Sequence, residues 1–333
     1  MRNDELSQSA IENRKPAMRI EAICVAAKKG EPKRPVERAT FVADHGICGD
    51  GHAGPWHRQV SLLSAEEAAE VRQELPDLAP GDFAENVLVS GVDLGALGLG
   101  SRLRLGREVE VVITQIGKAC HSHRCAIFER LGDCLMPRRG LFARVLRGGA
   151  AAPGDPLEVV ERVPRETLQA VVLTISDRCS RGEATDTAGP AAARLLREGL
   201  GAHVFAVEIL PDEREAIEDR LRHFCDERGM DLVVTVGGTG FAPRDVTPEA
   251  TRAVVERPTP GLDEAMRAAS LAKTPHAMLS RGASGIRKKT LILNLPGSER
   301  AAVENLGAAV PALEHGLRKL RGDASDCGRP ANA

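Results

Sequence analysis

The chain has 333 residues, enough for two domains at roughly 150 residues each. Its 42% hydrophobic and 28% charged residues are ordinary for a globular protein and exclude global disorder, a collagen repeat and a coiled-coil rod. Lys and Arg (45) nearly balance Asp and Glu (47), a net charge of −2, so there is no global basic field to hold nucleic acid or an anionic membrane. Seven Phe, one Trp and no Tyr also supply a base-stacking platform poorly. No stretch reaches the ~18 consecutive apolar residues of a membrane helix. The opening MRNDELSQSAIENRK has no apolar core for a signal peptide and reads as a flexible leader over 1–17. Eight cysteines spread over a long chain then predict reduced thiols in a cytoplasmic protein.

Residues 18–160 show short apolar runs broken by Gly, Pro and Asp: MRIEAICVA, RQVSLL, NVLVSG, SRLRLG, EVEVVITQIG and DPLEVVE. This spacing predicts a β-rich, barrel-like domain. One helix interrupts it, SAEEAAEVRQE, with Ser64 as N-cap and Glu67 three residues on. The polar ERVPRET (161–167) reads as a linker. After it the period changes. Apolar strands are expected at LQAVVLTIS, HVFAVEIL, MDLVVTV and TLILNL, and helices at 188–199, 213–229, 247–257, 261–272 and 298–322. Near-continuous apolar strands alternating with helices predict an α/β sheet covered on both faces over 168–321, followed by a loose polar tail, 322–333. Ligands of such sheets sit at the C-terminal ends of the strands.

Those ends carry the chemistry. DLVVTVGGTGFAPRDVTPEAT (231–251) runs from a buried strand into Gly237, Gly238, Thr239 and Gly240. Glycines free backbone N–H groups to approach an anion, and the Thr239 hydroxyl adds a donor. No Lys follows, so this is no Walker A loop. Asp245 comes next, and Thr247–Pro248 is expected to cap and open a helix, a natural phosphate site. A carboxylate beside a phosphate site makes sense with a divalent cation between them. Taken alone, GGTG is more often a tight turn with Asp245 as a local cap. Other strand ends change that balance: Ser176, Asp177 and Asp186 in TISDRCSRGEATDTAGP, Asp212 in ILPDE, and Asn294, Pro296 and Gly297 in LNLPGS. LSRGASGIRKKT (279–290) adds Ser280, Arg281, Ser284 and Arg287, hydroxyls and cations for phosphates or carboxylates, and reads otherwise as a flexible basic loop. Acids and an anion loop converging on one rim make a metal–nucleotide phosphoryl-transfer site.

In these stretches, with PGLDEAMR and MLSRGASGIR, residues 168–321 resemble the molybdopterin adenylyltransferase family of the MogA/MoaB type. The resemblance implies a three-layer α/β/α domain, usually trimeric, that binds molybdopterin and uses Mg²⁺ and ATP to transfer AMP to its terminal phosphate. By motif, Asp212 and Asp245 fall on the family's essential, Mg²⁺-holding acids and Asp186 on its loop acid near the nucleotide. Gly237 to Gly240 fall on its phosphate/pterin loop, and Ser280 and Ser284 on its pterin side.

The N-terminal half offers GICGDGHAGPWHRQVSLLS (46–64) and ITQIGKACHSHRC within 113–125. CHSHRC can be read as zinc ligands, but C-x₄-C with one later Cys fits a structural zinc site poorly. Inert thiols are the plain alternative. A reactive thiolate is the third, since Lys118, His121 and Arg124 lie close in sequence to Cys120. GDGHAGPWHRQVSLLS, PGDFAENVLVSGVDLGALGLGSRLRLG and ITQIGKAC resemble the MOSC domain, named for the molybdenum cofactor sulfurase C-terminus. That resemblance implies a β-rich domain that binds the molybdenum cofactor or carries sulfur through one cysteine. Cys120 falls on that cysteine, Cys125 is the second candidate, and Arg58 falls on an anion-contact position. The expectation is a bifunctional molybdenum-cofactor protein, with molybdenum insertion proteins or molybdoenzymes as partners. The alternatives are a non-catalytic cofactor carrier and a cofactor-bearing reductase working through the MOSC half.

Overall fold

The computed structural model describes residues 17–118 and 134–324. The chain divides into two compact units, Met1–Glu166 and Thr167–Ala333. The expected linker is largely part of the first unit. Val163 O accepts from Gly98 N at 2.7 Å, Ser101 Oγ bonds the Val163 backbone, and Arg165 N donates to Ala96 O at 3.2 Å.

The N-terminal unit is β-rich, as expected. Eight strands form one sheet in the order Leu157–Glu161, Arg102–Leu105, Val109–Ile116, Leu141–Arg147, Val60–Ser64, Val87–Ser90, Arg19–Val25, Arg34–Val36. Ile20 N donates to Asp155 O (2.9 Å) and Leu157 N to Met18 O (2.9 Å), so the two sides of the sheet are stitched together. A second sheet joins Gly149–Ala151, Ala39–Val42 and Gly46–Ile47. The helix Ala65–Glu74 is capped as expected, Ser64 Oγ accepting from Glu67 N at 3.2 Å. The strand Leu141–Arg147 is not among the apolar runs taken above as strands.

The C-terminal unit has a six-stranded sheet ordered His203–Leu210, Gln169–Ile175, Leu232–Val236, Thr290–Leu295, Ser284–Arg287, Arg257–Pro258. The first four strands are parallel and the last two antiparallel. Ala170, Val172, Leu232, Val234, Leu291 and Leu293 face a core shared with the helices Ala188–Leu200, Pro260–Leu271 and Glu299–Arg321. The alternate residues Val171, Leu173, Val233 and Ile292 are fully buried too, so both faces are covered. The helices Arg214–Arg222 and Thr247–Val254 pack on one another.

Three expectations are corrected. The segment 279–290 is not simply a loop, since Ser284–Arg287 pairs with Thr290–Leu295 as a hairpin. Thr247 is the first helical residue rather than the N-cap, which is Val246. The helix expected over 213–229 ends at Arg222 and continues as one π-turn, His223–Glu227. Among the described residues no helix is long and apolar enough to cross a membrane.

Candidate functional site

The central strand Leu232–Val236 ends in Gly237 (φ 107°) and Gly238 (φ 62°), left-handed conformations that side chains adopt at a cost. A Cβ on Gly237 would collide with Ile175 O. One on Gly238 would collide with Thr247 Oγ1 and lie 3.0 Å from Asp212 Oδ1, and one on Gly240 would lie 2.9 Å from Asp245 Oδ2. The two aspartates therefore flank the same glycine turn, although 33 positions separate them in the sequence.

Asp212 ends the strand His203–Leu210 after one proline and is tied to Asp177. The Asp177 amide donates to Asp212 Oδ2 at 2.8 Å, and the Asp212 amide donates to Asp177 Oδ1 at 3.0 Å. Arg244 grips Asp177 with both arms, 2.9 Å each. Burial, then the charges of Asp177 and Asp245, push the Asp212 carboxyl above its usual range against the Asp177 amide and Arg244. The Arg244 guanidinium holds Asp177 low. Asp245 Oδ2 accepts from Ala242 N at 2.8 Å, which folds the turn that presents it.

Arg281 clamps this turn from the hairpin side. Its Nε donates to Gly240 O at 2.7 Å, Nη2 to Asp245 O, and Nη1 to Glu249 Oε1 at 2.5 Å. Thr247 Oγ1 is buried beside Gly238 without a hydrogen-bond partner. Arg244 did not stand out in the sequence as part of the site; Arg281 did, as a cation for phosphates or carboxylates, but its partners did not. The partners of the two arginines lie 67 and 32 to 41 positions away, beyond any local motif.

Asp245 lines three cavities, and one of them, of about 440 Å³, is bounded by Phe241, Glu249 and Arg281 on the far side of its turn; the other two take in most of the remaining sequence candidates. One of about 280 Å³ is lined by Ser176, Asp186, Asp212, Gly237, Gly238 and Asp245. The other, of about 510 Å³, takes in Thr239, Gly240, Arg267, Ser280, Pro296 and Ser298. Gly238, Asp245 and Gly297 line both. Asp186 accepts from Thr174 Oγ1 (2.7 Å) and from Gly189 N (2.9 Å) at the start of the helix Ala188–Leu200, so it caps the helix and lines the smaller cavity at once.

Two sequence candidates lie apart. Ser284 is buried, its Oγ exchanges hydrogen bonds with Thr259, and its backbone N donates to Asp263 Oδ2 at 3.0 Å. Asn294 Nδ2 donates to Thr235 Oγ1 and Thr251 Oγ1 at 2.9 Å each, while Oδ1 accepts from Ala283 N at 3.1 Å. Both knit the sheet to its neighbours, and neither lines either cavity.

The donor set suits a metal that arrives with phosphates. Magnesium takes one or two carboxylates and completes its shell with phosphate oxygens and water. Asp212 and Asp245 are such a pair, and among the described residues no group of three or more His, Cys, Asp and Glu forms a protein-only cage.

In the N-terminal unit, Cys120 and Cys125 lie outside the described residues. Arg58 stacks over Trp56, its guanidinium carbon 4.8 Å from the ring centre. Behind the Gly-rich loop, buried Asp50 accepts from Lys33 Nζ (2.6 Å), Asn86 Nδ2 (3.0 Å), Ala26 N (3.2 Å) and His52 N (2.9 Å). Burial opposes its ionisation, but the hydrogen bonds from His52 and Lys33 and the Lys33 charge outweigh that and hold the carboxyl well below its usual range.

Residues 49–158 match the MOSC domain family, and residues 171–315 match the family described as a probable molybdopterin binding domain. The molybdopterin adenylyltransferase of Helicobacter pylori J99 is 45% identical over 159 residues, 47% of this chain and 90% of the relative. That of Escherichia coli K12 is 46% identical over 142 residues, 42% of this chain and 72% of the relative. The solved molybdopterin biosynthesis enzyme MoaB of Thermus thermophilus is 48% identical, over 47% of this chain and 98% of its own, with a TM-score of 0.45. Through its C-terminal unit the chain belongs to the molybdopterin adenylyltransferase family, and it carries a MOSC domain in the same polypeptide.

Proposed function

We propose that the C-terminal unit transfers AMP from ATP to the terminal phosphate of molybdopterin, releasing pyrophosphate, as a step of molybdenum cofactor biosynthesis. The observation that carries this reading is the meeting of Asp212 and Asp245 at the glycine turn shared by two cavities. Cavities that share the wall of Gly238, Asp245 and Gly297 suit two substrates between which a bond is made.

The nucleophile is a phosphate oxygen, already anionic, so no general base is needed. It attacks the α-phosphorus in line, and the bond to the departing pyrophosphate breaks. Asp212 and Asp245 would hold Mg²⁺, which supplies charge neutralisation between carboxylates and phosphates when bound. The glycine turn offers backbone N–H groups to the developing charge, and the Thr239 side chain lines the larger cavity beside it. Asp177 and Arg244 fix Asp212, Arg281 fixes the Asp245 turn, and Asp186 sets the near wall of the smaller cavity. Ser176, Ser280, Pro296 and Gly297 complete the walls.

The N-terminal unit, in this proposal, receives, sulfurates or delivers the cofactor, with Cys120 or Cys125 as its thiol and Arg58 on an anionic group. A trimer built through the C-terminal unit and a cytoplasmic location belong to the same proposal. Sedimentation of the purified chain tests the former.

The deciding experiment incubates the full chain with molybdopterin, Mg²⁺ and ATP and identifies products by mass spectrometry. Adenylylated pterin and pyrophosphate are expected, lost with chelator and restored by Mg²⁺. Pterin binding with no product would make the chain a cofactor carrier instead.

A further inference from the structure

The helix Glu299–Arg321 buries one stripe of residues: Ala302, Asn305, Leu306, Ala309, Leu313 and Leu317. Five of the six are apolar, and the sixth, Asn305, is only 6% exposed. An apolar residue would pack in this stripe without cost, whereas a buried amide needs hydrogen bonds. The nitrogen of Asn305 has them. Its Nδ2 donates to Ser270 Oγ and to Ala301 O, at 2.8 Å each. Ala301 O can only accept, so the nitrogen must face it, and the orientation of the planar amide is settled. With both N–H groups engaged, Oδ1 faces the opposite way.

Among the described residues nothing donates to Oδ1, and the atoms around it do not seal it off. It opens on the cavity of about 510 Å³, whose wall includes Asn305, Ser270 and Ala301. The helices Pro260–Leu271 and Glu299–Arg321 pack together to build that wall. Arg267, one turn before Ser270, adds guanidinium donors to it. Glu304 adds a carboxylate whose Oε1 is held by Arg300 at 3.0 Å and Lys273 at 3.1 Å.

This wall presents a fixed, buried acceptor together with a cationic donor. A heterocycle with an amine and an oxo group on one ring is its complement. The amine gives a hydrogen to Oδ1, and the oxo group takes one from Arg267. The pterin ring carries both groups. Adenine carries an amine but no oxo group, and a phosphate oxygen set against Oδ1 would meet another acceptor.

We propose that Asn305 is the specificity-determining residue for the pterin ring, its side-chain oxygen accepting from the exocyclic amine within the larger cavity. The inference rests on the adenylyl-transfer reading for its substrate, and it adds which cavity takes the ring and which atom reads it.

Pterin and lumazine, in which an oxo group replaces the amine, both fluoresce. Each is titrated with the full chain in the absence of ATP. Pterin is expected to bind about tenfold more tightly, because lumazine sets an oxygen against Oδ1 and leaves that buried acceptor unpaired. Asn305→Leu should bring the two midpoints together. Asn305→Asp loses the same bonds to Ser270 and Ala301 but keeps an oxygen, and should retain the preference, an outcome that a purely structural role would not give. In pyrophosphate release, Asn305→Leu should raise the KM for molybdopterin about tenfold and leave that for ATP unchanged. No saturable pterin binding, equal binding of pterin and lumazine by the unsubstituted chain, or a change confined to the KM for ATP would each overturn the assignment. The titration also separates this inference from the reading beneath it. Discrimination without pyrophosphate release upholds Asn305 and removes adenylyl transfer, and release without discrimination does the reverse.

Discussion

Asp177 and Asp212 hold one another through a reciprocal pair of bonds, each backbone amide donating to the other's carboxylate at 2.8 and 3.0 Å. Asp212 is thus placed by a residue 35 positions earlier, itself anchored by Arg244. A displacement of about 1 Å in a positioned group costs on the order of 100-fold in rate. Asp177→Ala, which removes the acceptor for the Asp212 amide, should lower pyrophosphate release by ~10- to 100-fold. Asp177→Asn keeps that acceptor and should be milder. Steady-state rates with Mg²⁺, ATP and pterin check the order.

Asp245→Asn keeps the side-chain oxygen that folds its turn against Ala242 N but removes the charge. Turnover should fall by on the order of 100- to 1000-fold, the size of a lost electrostatic group in a transition state. The melting curve should move little. Wild-type turnover in this variant would remove Asp245 from the chemistry.

Gly238→Ala should damage the fold as well as the site. Its φ of 62° and the collision of a Cβ with Thr247 Oγ1 both oppose a side chain. A loss of about 1–3 kcal/mol is expected for a residue forced into this region, read by chemical denaturation.

These residues show what the sequence discloses. The alternating apolar strands and helices, the glycine turn and the acids at strand ends were legible because each is a local pattern. The Asp177–Arg244 pair and the Arg281 clamp were not, since they exist only once the sheet has brought distant loops together. Asn294 and Ser284 show the converse. A polar residue near a strand end reads as ligand-facing, yet both turn inward to satisfy buried hydrogen bonds, and no local signal distinguishes the two directions. The strand Ser284–Arg287 was hidden by its polar composition. The hairpin partner supplies the pairing that propensity does not.

Asp50 and Glu85, both buried in the N-terminal unit, have opposite pH signatures. Asp50 is held low, so its contribution is present at neutral pH and lost as pH falls toward its folded value. Burial raises Glu85, whose Oε2 has no hydrogen-bond partner, so its contribution is present in acid and lost as pH rises past the ordinary carboxyl range. Asp50→Ala should cost about 3–5 kcal/mol by stranding Lys33. Glu85→Gln should flatten the decline at higher pH. Trp56 emission during unfolding reads both.

Burial pushes the thiols of Cys24 and Cys225 up to about 12, while Cys48 is exposed and Cys179 lines the smaller cavity. Iodoacetamide applied to the native protein should label Cys48 and Cys179 and spare Cys24 and Cys225. Bound Mg²⁺-ATP should slow labelling of Cys179 alone, as peptide mass mapping would show.

Gly238, Asp245 and Gly297 line both of the cavities proposed to hold the two substrates. A molecule filling one chamber would therefore touch the wall of its neighbour. In the proposed reaction the two substrates would then not load as strangers: saturating either should alter the apparent KM of the other, and product left in one chamber should act as a mixed rather than a purely competitive inhibitor.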